Sequence, residues 1–272
     1  MTDLQDFAAM MAKEEKCNLT IEKYMRDVKA FLFFCGGTVS KETVMRFKEH
    51  LGTEYEKTSA NSMISAVNCW LKFSGNNSLC VKQFRIQKKP FSPEEKELSK
   101  EEYLKLVRTA ERSGNERLSL VIQTICGSGI RVSELQYITV EAVKRGEAVV
   151  SCKNKTRAIL IVKELRKKLL LYAQKKGIYT GSIFVTRNGL PLSRTNIWKE
   201  MKGICREAGV NPEKVFPHNL RHLFARVFYS MEKDIAKLAD LLGHSSINTT
   251  RIYIISTGAE HRRQMERMHL II

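Results

Sequence analysis

Several absences narrow what this chain of 272 residues is. It has no run of about 18 apolar residues, and its first residues, Met1-Thr2-Asp3-Leu4-Gln5-Asp6-Phe7, are acidic rather than basic. Neither a membrane span nor a secretory leader is expected, and the expected location is the cytoplasm. Cysteines 17, 35, 69, 80, 126, 152 and 205 are scattered, odd in number and form no CxxC pair. That argues against both a disulfide framework and a thiolate zinc site. There is no internal repeat and no low-complexity tract. Acidic residues are also short, 29 against 46 Lys plus Arg, and the formal charge of +17 favours a polyanionic partner, with nucleic acid first.

The length suits two domains at roughly 100 to 200 residues each. Residues 1–87 read as a helical bundle of four or five helices. Tyr24, Val28, Phe31 and Leu32 recur at helical spacing until Cys35-Gly36-Gly37. Ser40 can cap a helix carrying Val44, Phe47 and Leu51, and Ser62 to Phe73 carries Ile64, Val67 and Leu71 on one face. Residues 88–97, charged and bearing Pro90 and Pro93, read as a linker. The second domain, 98–272, opens with Ser99 and Glu102 at capping-box spacing. It reads as mostly helical, with one hairpin: Glu147 to Cys152, a polar tip from Lys153 to Thr156, and Arg157 to Val162. Ser182 to Thr186 reads as a further short strand. The fold class is therefore mainly α with a small antiparallel sheet.

Chemistry concentrates near the C-terminus. His218-Asn219-Leu220-Arg221 is followed by Leu241-Leu242-Gly243-His244, and Tyr253 stands nine residues after that second histidine. A guanidinium can neutralise phosphoryl oxygens, imidazoles can hold or move protons, and a phenol can become a nucleophile. Leu220, Leu223, Phe224, Val227 and Phe228 cluster on one helix face, which puts His218, Arg221 and His222 on the opposite one. Pro217 fits the start of that helix. Ile235, Leu238, Ala239 and Leu242 form another stripe ended by Gly243, and Ser245 or Ser246 can cap the segment that leads to Tyr253. Upstream, Arg131 and Glu134 lie one turn apart in Gly129-Ile130-Arg131-Val132-Ser133-Glu134-Leu135.

The ordered array RxSEL, HxLRH and LGHSSxxTTxxY resembles the tyrosine recombinase (integrase) family, from about Leu98 to the end of the chain. The resemblance is to the minimal Xer-like or mobile-element site-specific recombinases, without an N-terminal arm-binding domain. It implies a two-domain clamp: a SAM-like core-binding bundle and a catalytic domain that ends in a C-terminal exchange segment, starting near Thr257, which docks into a neighbouring protomer. It further implies cleavage and rejoining of duplex DNA through a 3′-phosphotyrosine, with no metal, ATP or other cofactor. Paired inverted binding sites and a homo-tetramer at the synapse follow from the same likeness. The implied catalytic residues are Arg131, Lys153, His218, Arg221, His244 and Tyr253, with Glu134 supporting Arg131. Lys153 is preferred over Lys155 as the hairpin general acid because it directly follows the first strand. That turn, Ser151-Cys152-Lys153-Asn154-Lys155-Thr156-Arg157, is one residue shorter than a common form in the family.

Three other readings stay open. His218 and His222, four apart on a helix, have a zinc-chelating spacing, although position 219 is Asn where HExxH metallohydrolases carry Glu. The charge alone would fit a non-catalytic DNA-binding protein. A type IB topoisomerase would share the nucleophile and the basic residues.

Overall fold

The structure, a computed structural model, describes residues 4–86, 97–152, 155–186, 188–253, 262 and 265–268. The chain divides into two compact units, Met1–Lys89 and Pro90–Ile272. Most of the expected linker lies outside the described residues, as do Lys153 and nearly all of the segment from Thr257 on. Among the described residues no helix is long and apolar enough to cross a membrane.

The first unit is made of helices α1 (Leu4–Lys13), α2 (Asn18–Cys35), α3 (Lys41–Glu54) and α4 (Lys57–Phe73). Helix α3 begins where expected, with the Ser40 hydroxyl accepting from Thr43 N–H in a capping box, and α2 stops at Gly36. Helix α4 starts five residues earlier than its apolar stripe, at Lys57. The core is aromatic: Phe31 meets Phe47 edge-on at 5.2 Å and Trp70 at 6.1 Å, geometries worth about 0.5–1.5 kcal/mol beyond simple burial.

In the second unit, α5 (Lys100–Arg112) begins at the Ser99–Glu102 capping box. Helix α6 (Glu116–Ser128) buries Leu118, Leu120, Val121, Ile122 and Ile125, so it is apolar nearly all round and forms the centre of the unit. Around it come α7 (Val140–Arg145), the hairpin β1 (Glu147–Cys152) and β2 (Lys155–Leu160), and α8 (Lys163–Lys175). Helices α9 (Arg194–Gly203), α10 (Cys205–Ala208), α11 (Pro217–Glu232), α12 (Ile235–Leu242) and α13 (Ile247–Arg251) complete it. Glu97 is ion-paired to Arg226 of α11.

Two strand expectations need correction. Lys155 and Thr156 pair with Cys152 and Ser151 in the ladder, so two residues separate the strands rather than four. Residues 182–186 form no strand. Isolated bridges, Thr139 to Ser182 and Val185 to Pro191, pin the segment at its ends. Its consecutive Ile183 and Phe184 are both buried, so the segment has no exposed face of the kind a half-covered strand carries.

Candidate active site

The hairpin register sets one wall of the site. Ala148, Val150 and Ile159 are buried while Val149 and Leu160 are exposed, so the inward face carries positions 148, 150, 157 and 159. Arg157, opposite Val150, is thus a charged residue on an apolar face. Its Nη2 donates to Glu134 Oε2 at 2.5 Å and its Nη1 to the Leu241 carbonyl at 2.6 Å. Glu134 sits in a 3-10 turn, Val132–Tyr137, for which Arg131 is the N-cap. The carboxylate accepts the Arg131 N–H at 2.7 Å and its Nη1 at 3.1 Å. The Arg131 side chain remains 45% exposed.

Helix α11 carries the next group, and here the two-face reading is corrected. Its first half is buried on more than one side: Pro217, Asn219, Leu220, Arg221, Leu223 and Ala225 are all enclosed. Val227, expected on the apolar face, is exposed. Arg221 is 1% exposed. A guanidinium tolerates this only when acceptors replace water. It donates to the Gly129 carbonyl at 2.5 Å, to the Leu242 carbonyl at 2.8 Å and to His244 Nε2 at 2.9 Å. Burial, then Arg131, pulls its pKa down to about 10, and the Tyr253 hydroxyl opposes the fall. It stays charged at neutral pH.

Arg221 has no acceptor, so His244 Nε2 must accept and its proton must lie on Nδ1, which donates to Thr250 Oγ1 at 2.9 Å. Burial, then Arg221, Arg131 and Arg157, drives the imidazole down to about 4. His244 is therefore neutral at pH 7. His218 and His222 are also lowered, in each case first by burial. Below its ordinary 6.5 an unfolded His244 gains a proton that the folded one refuses until about 4. Stability is thus present above about 6.5 and is lost as pH falls toward 4. Urea midpoints at pH 7 and pH 5 should show that loss, and His244→Asn should flatten part of it; an equal slope in both proteins would exclude this cause.

Tyr253 follows α13, which Ser246 caps as expected. Its N–H bonds the Thr250 carbonyl at 2.9 Å, and the residue is 6% exposed. The ring packs with Ala225, Leu238 and Leu242 in a small apolar cluster. Three imidazoles surround it, with centroid distances of 5.6 Å to His218, 5.1 Å to His222 and 5.5 Å to His244, the last nearly parallel. His218, Arg221, His244 and Tyr253 are thus assembled, and Arg131 is close enough to depress His218 and His244. Of the three arginines here, Arg131 and Arg157 share the Glu134 carboxylate while Arg221 bonds two carbonyls and His244, leaving an excess of positive charge suited to a phosphodiester. Among the described residues, no group of three or more His, Cys, Asp or Glu is arranged to hold a metal ion.

Residues 96–260 match the model of the phage integrase family. The chain belongs to that family. It is 29% identical to tyrosine recombinase XerA of Pyrococcus furiosus over 98% of this chain and 94% of that protein. A crystal structure of XerA recombinase matches with a TM-score of 0.56 at 25% identity, covering 99% of this chain and 98% of that one. The fold is also that of a lambda integrase tetramer bound to a Holliday junction, with a TM-score of 0.72 at 19% identity over 92% of this chain and 75% of that one. The protein is a site-specific tyrosine recombinase that cleaves and rejoins DNA.

Sequence reasoning did not single out Arg157 or Thr250 for the site, and it placed His222 on the same helix face as His218 and Arg221 without giving it a role outside the zinc alternative. For Arg157 a signal exists, a charged residue at an inward position of the strand alternation. Thr250 has no comparable signal, because its role depends on where His244 points.

Gly243 lies against the Arg157 side chain. Its φ is +64°, and an added Cβ would stand 2.3 Å from Arg157 Cδ. Gly243→Ala should therefore cost about 1–3 kcal/mol through backbone strain alone, with the steric clash in addition. A thermal melt within a degree of wild type would show that this approach is not as close as described.

Proposed function

We propose that Tyr253 attacks a phosphodiester of duplex DNA to give a 3′-phosphotyrosine and a free 5′ hydroxyl, held by Arg131 and Arg221. Tyr253, enclosed by three imidazoles beside the buried Arg221, is the observation that carries this reading. One phosphodiester is kept for each one broken, so transesterification needs no ATP. The arginines neutralise the phosphoryl oxygens, a role metal ions fill in many nucleases. His244, neutral with Nε2 held by Arg221, orients that guanidinium, and His218 serves proton movement at the tyrosine. The functional domains are a core-binding domain at 1–87, a linker at 88–97 and a catalytic domain at 98–272. Acting in the cytoplasm, four copies assemble on two synapsed DNA duplexes with paired inverted sites; the lambda integrase tetramer bound to a Holliday junction supports the count of four.

The test is a nicked suicide duplex in the presence of a chelator. A detergent-resistant adduct mapping to the peptide that contains Tyr253 is expected. Binding without an adduct would point to a non-catalytic DNA-binding protein, and loss of cleavage only in chelator would revive the metal reading.

We assign the general acid for the departing 5′ oxygen to Lys153. A 5′-phosphorothiolate leaving group needs little protonation, so that substrate should restore cleavage to Lys153→Ala. Restoration of Lys155→Ala instead would transfer the role.

A further inference from the structure

We propose that Arg157 is a positioning residue of the recombinase site, bridging Glu134 to the C-terminal turn of α12 and so setting Arg131 and His244 relative to each other. The inference rests on the reading of the site given above. Arg157 touches none of the reacting groups proposed there, and it acts through two neighbours.

The first neighbour is Glu134. One oxygen of this buried carboxylate takes Arg157 Nη2 at 2.5 Å and the Arg131 N–H at 2.7 Å, and the other takes Arg131 Nη1 at 3.1 Å. Without Arg157 the carboxylate would keep only the half-exposed Arg131, which would then be drawn toward it and away from a phosphate. The second neighbour is the end of α12. The last carbonyls of a helix have no partner within the helix. Here Leu241 O accepts from Arg157 and Leu242 O from Arg221, so two arginines from different elements cap successive carbonyls just before His244. The positive charges also suit the negative end of the helix. Gly243 fits this arrangement, because the Arg157 stem occupies the space a side chain there would need. With both terminal nitrogens bonded to other parts of the unit, Arg157 acts as an internal clip.

Arg157 is also one of the charges that keep His244 neutral. The groups facing that imidazole are Arg221 and His218 from α11, Arg131, Arg157 from β2, the Thr250 hydroxyl and the Tyr253 ring. Removing Arg157 takes away one positive neighbour, so the His244 midpoint should rise.

The experiment uses the full chain with Arg157→Met, Arg157→Lys and Arg157→Met/Glu134→Gln. Affinity for a duplex site, single-turnover cleavage of a nicked suicide substrate at saturating DNA, and the His244 ring titration by NMR without DNA are measured. Arg157→Met should bind within about threefold of wild type and cleave about 10- to 100-fold more slowly, the range for misplaced catalytic groups. Its His244 midpoint should move up. Arg157→Lys should keep the His244 midpoint near wild type because the charge remains, yet stay slow, since an ammonium cannot span Glu134 and Leu241 as the fork does. The double variant should regain stability by removing the charge of a buried carboxylate left with Arg131 alone, without regaining cleavage. If Arg157 only stabilises the fold, the folded fraction of each variant will cleave at the wild-type rate and His244 will titrate unchanged; either result overturns the proposal. Should wild type form no adduct at Tyr253, the reading of the site fails instead, while the His244 titration still decides whether Arg157 reaches it.

Discussion

Tyr253→Phe should form no covalent adduct on a nicked suicide duplex while it folds and binds DNA as wild type does. The ring, not the hydroxyl, fills the space between Ala225, Leu238 and Leu242 and packs against the three imidazoles. Phenylalanine keeps those contacts. What is lost is the nucleophilic oxygen and its favourable interaction with the Arg221 charge. Removal of a nucleophile commonly costs on the order of 10⁴-fold or more in rate. Adduct formation by the folded Phe variant would place the nucleophile on another tyrosine.

The second large effect is expected at Arg221. An ammonium cannot reach the Gly129 carbonyl, the Leu242 carbonyl and His244 Nε2 together, because the guanidinium spreads its donors over a rigid fork. Arg221→Lys should lose about 2–3 kcal/mol of stability from unmet acceptors around a buried charge. Cleavage should fall roughly 10²- to 10³-fold, the usual loss when one preorganised donor leaves a developing anion. Denaturant midpoints and single-turnover cleavage at saturating DNA measure the two separately. A variant that is destabilised but cleaves at full rate would make Arg221 a structural residue only. A stable variant that cleaves slowly would give it the phosphate alone.

Local pattern disclosed a good part of this protein. The capping hydroxyls of Ser40, Ser99 and Ser246, the stop at Gly243 and the alternating hairpin are each set by residues within about four positions, the range over which helix and strand periodicity act. The order of Arg131, His218, Arg221, His244 and Tyr253 along the chain was also legible without the fold and was enough to indicate the family. The tertiary structure decided what that order could not. Arg221 bonds a carbonyl 92 positions away and Arg157 one 84 positions away. No periodicity reports such pairs, which is why Arg221 read as a residue on an open helix face and Arg157 went unnoticed. Burial turned both into fixed donors. A charge removed from water is kept only where distant parts of the chain supply its acceptors, and that matching belongs to the packed structure rather than to any stretch of sequence.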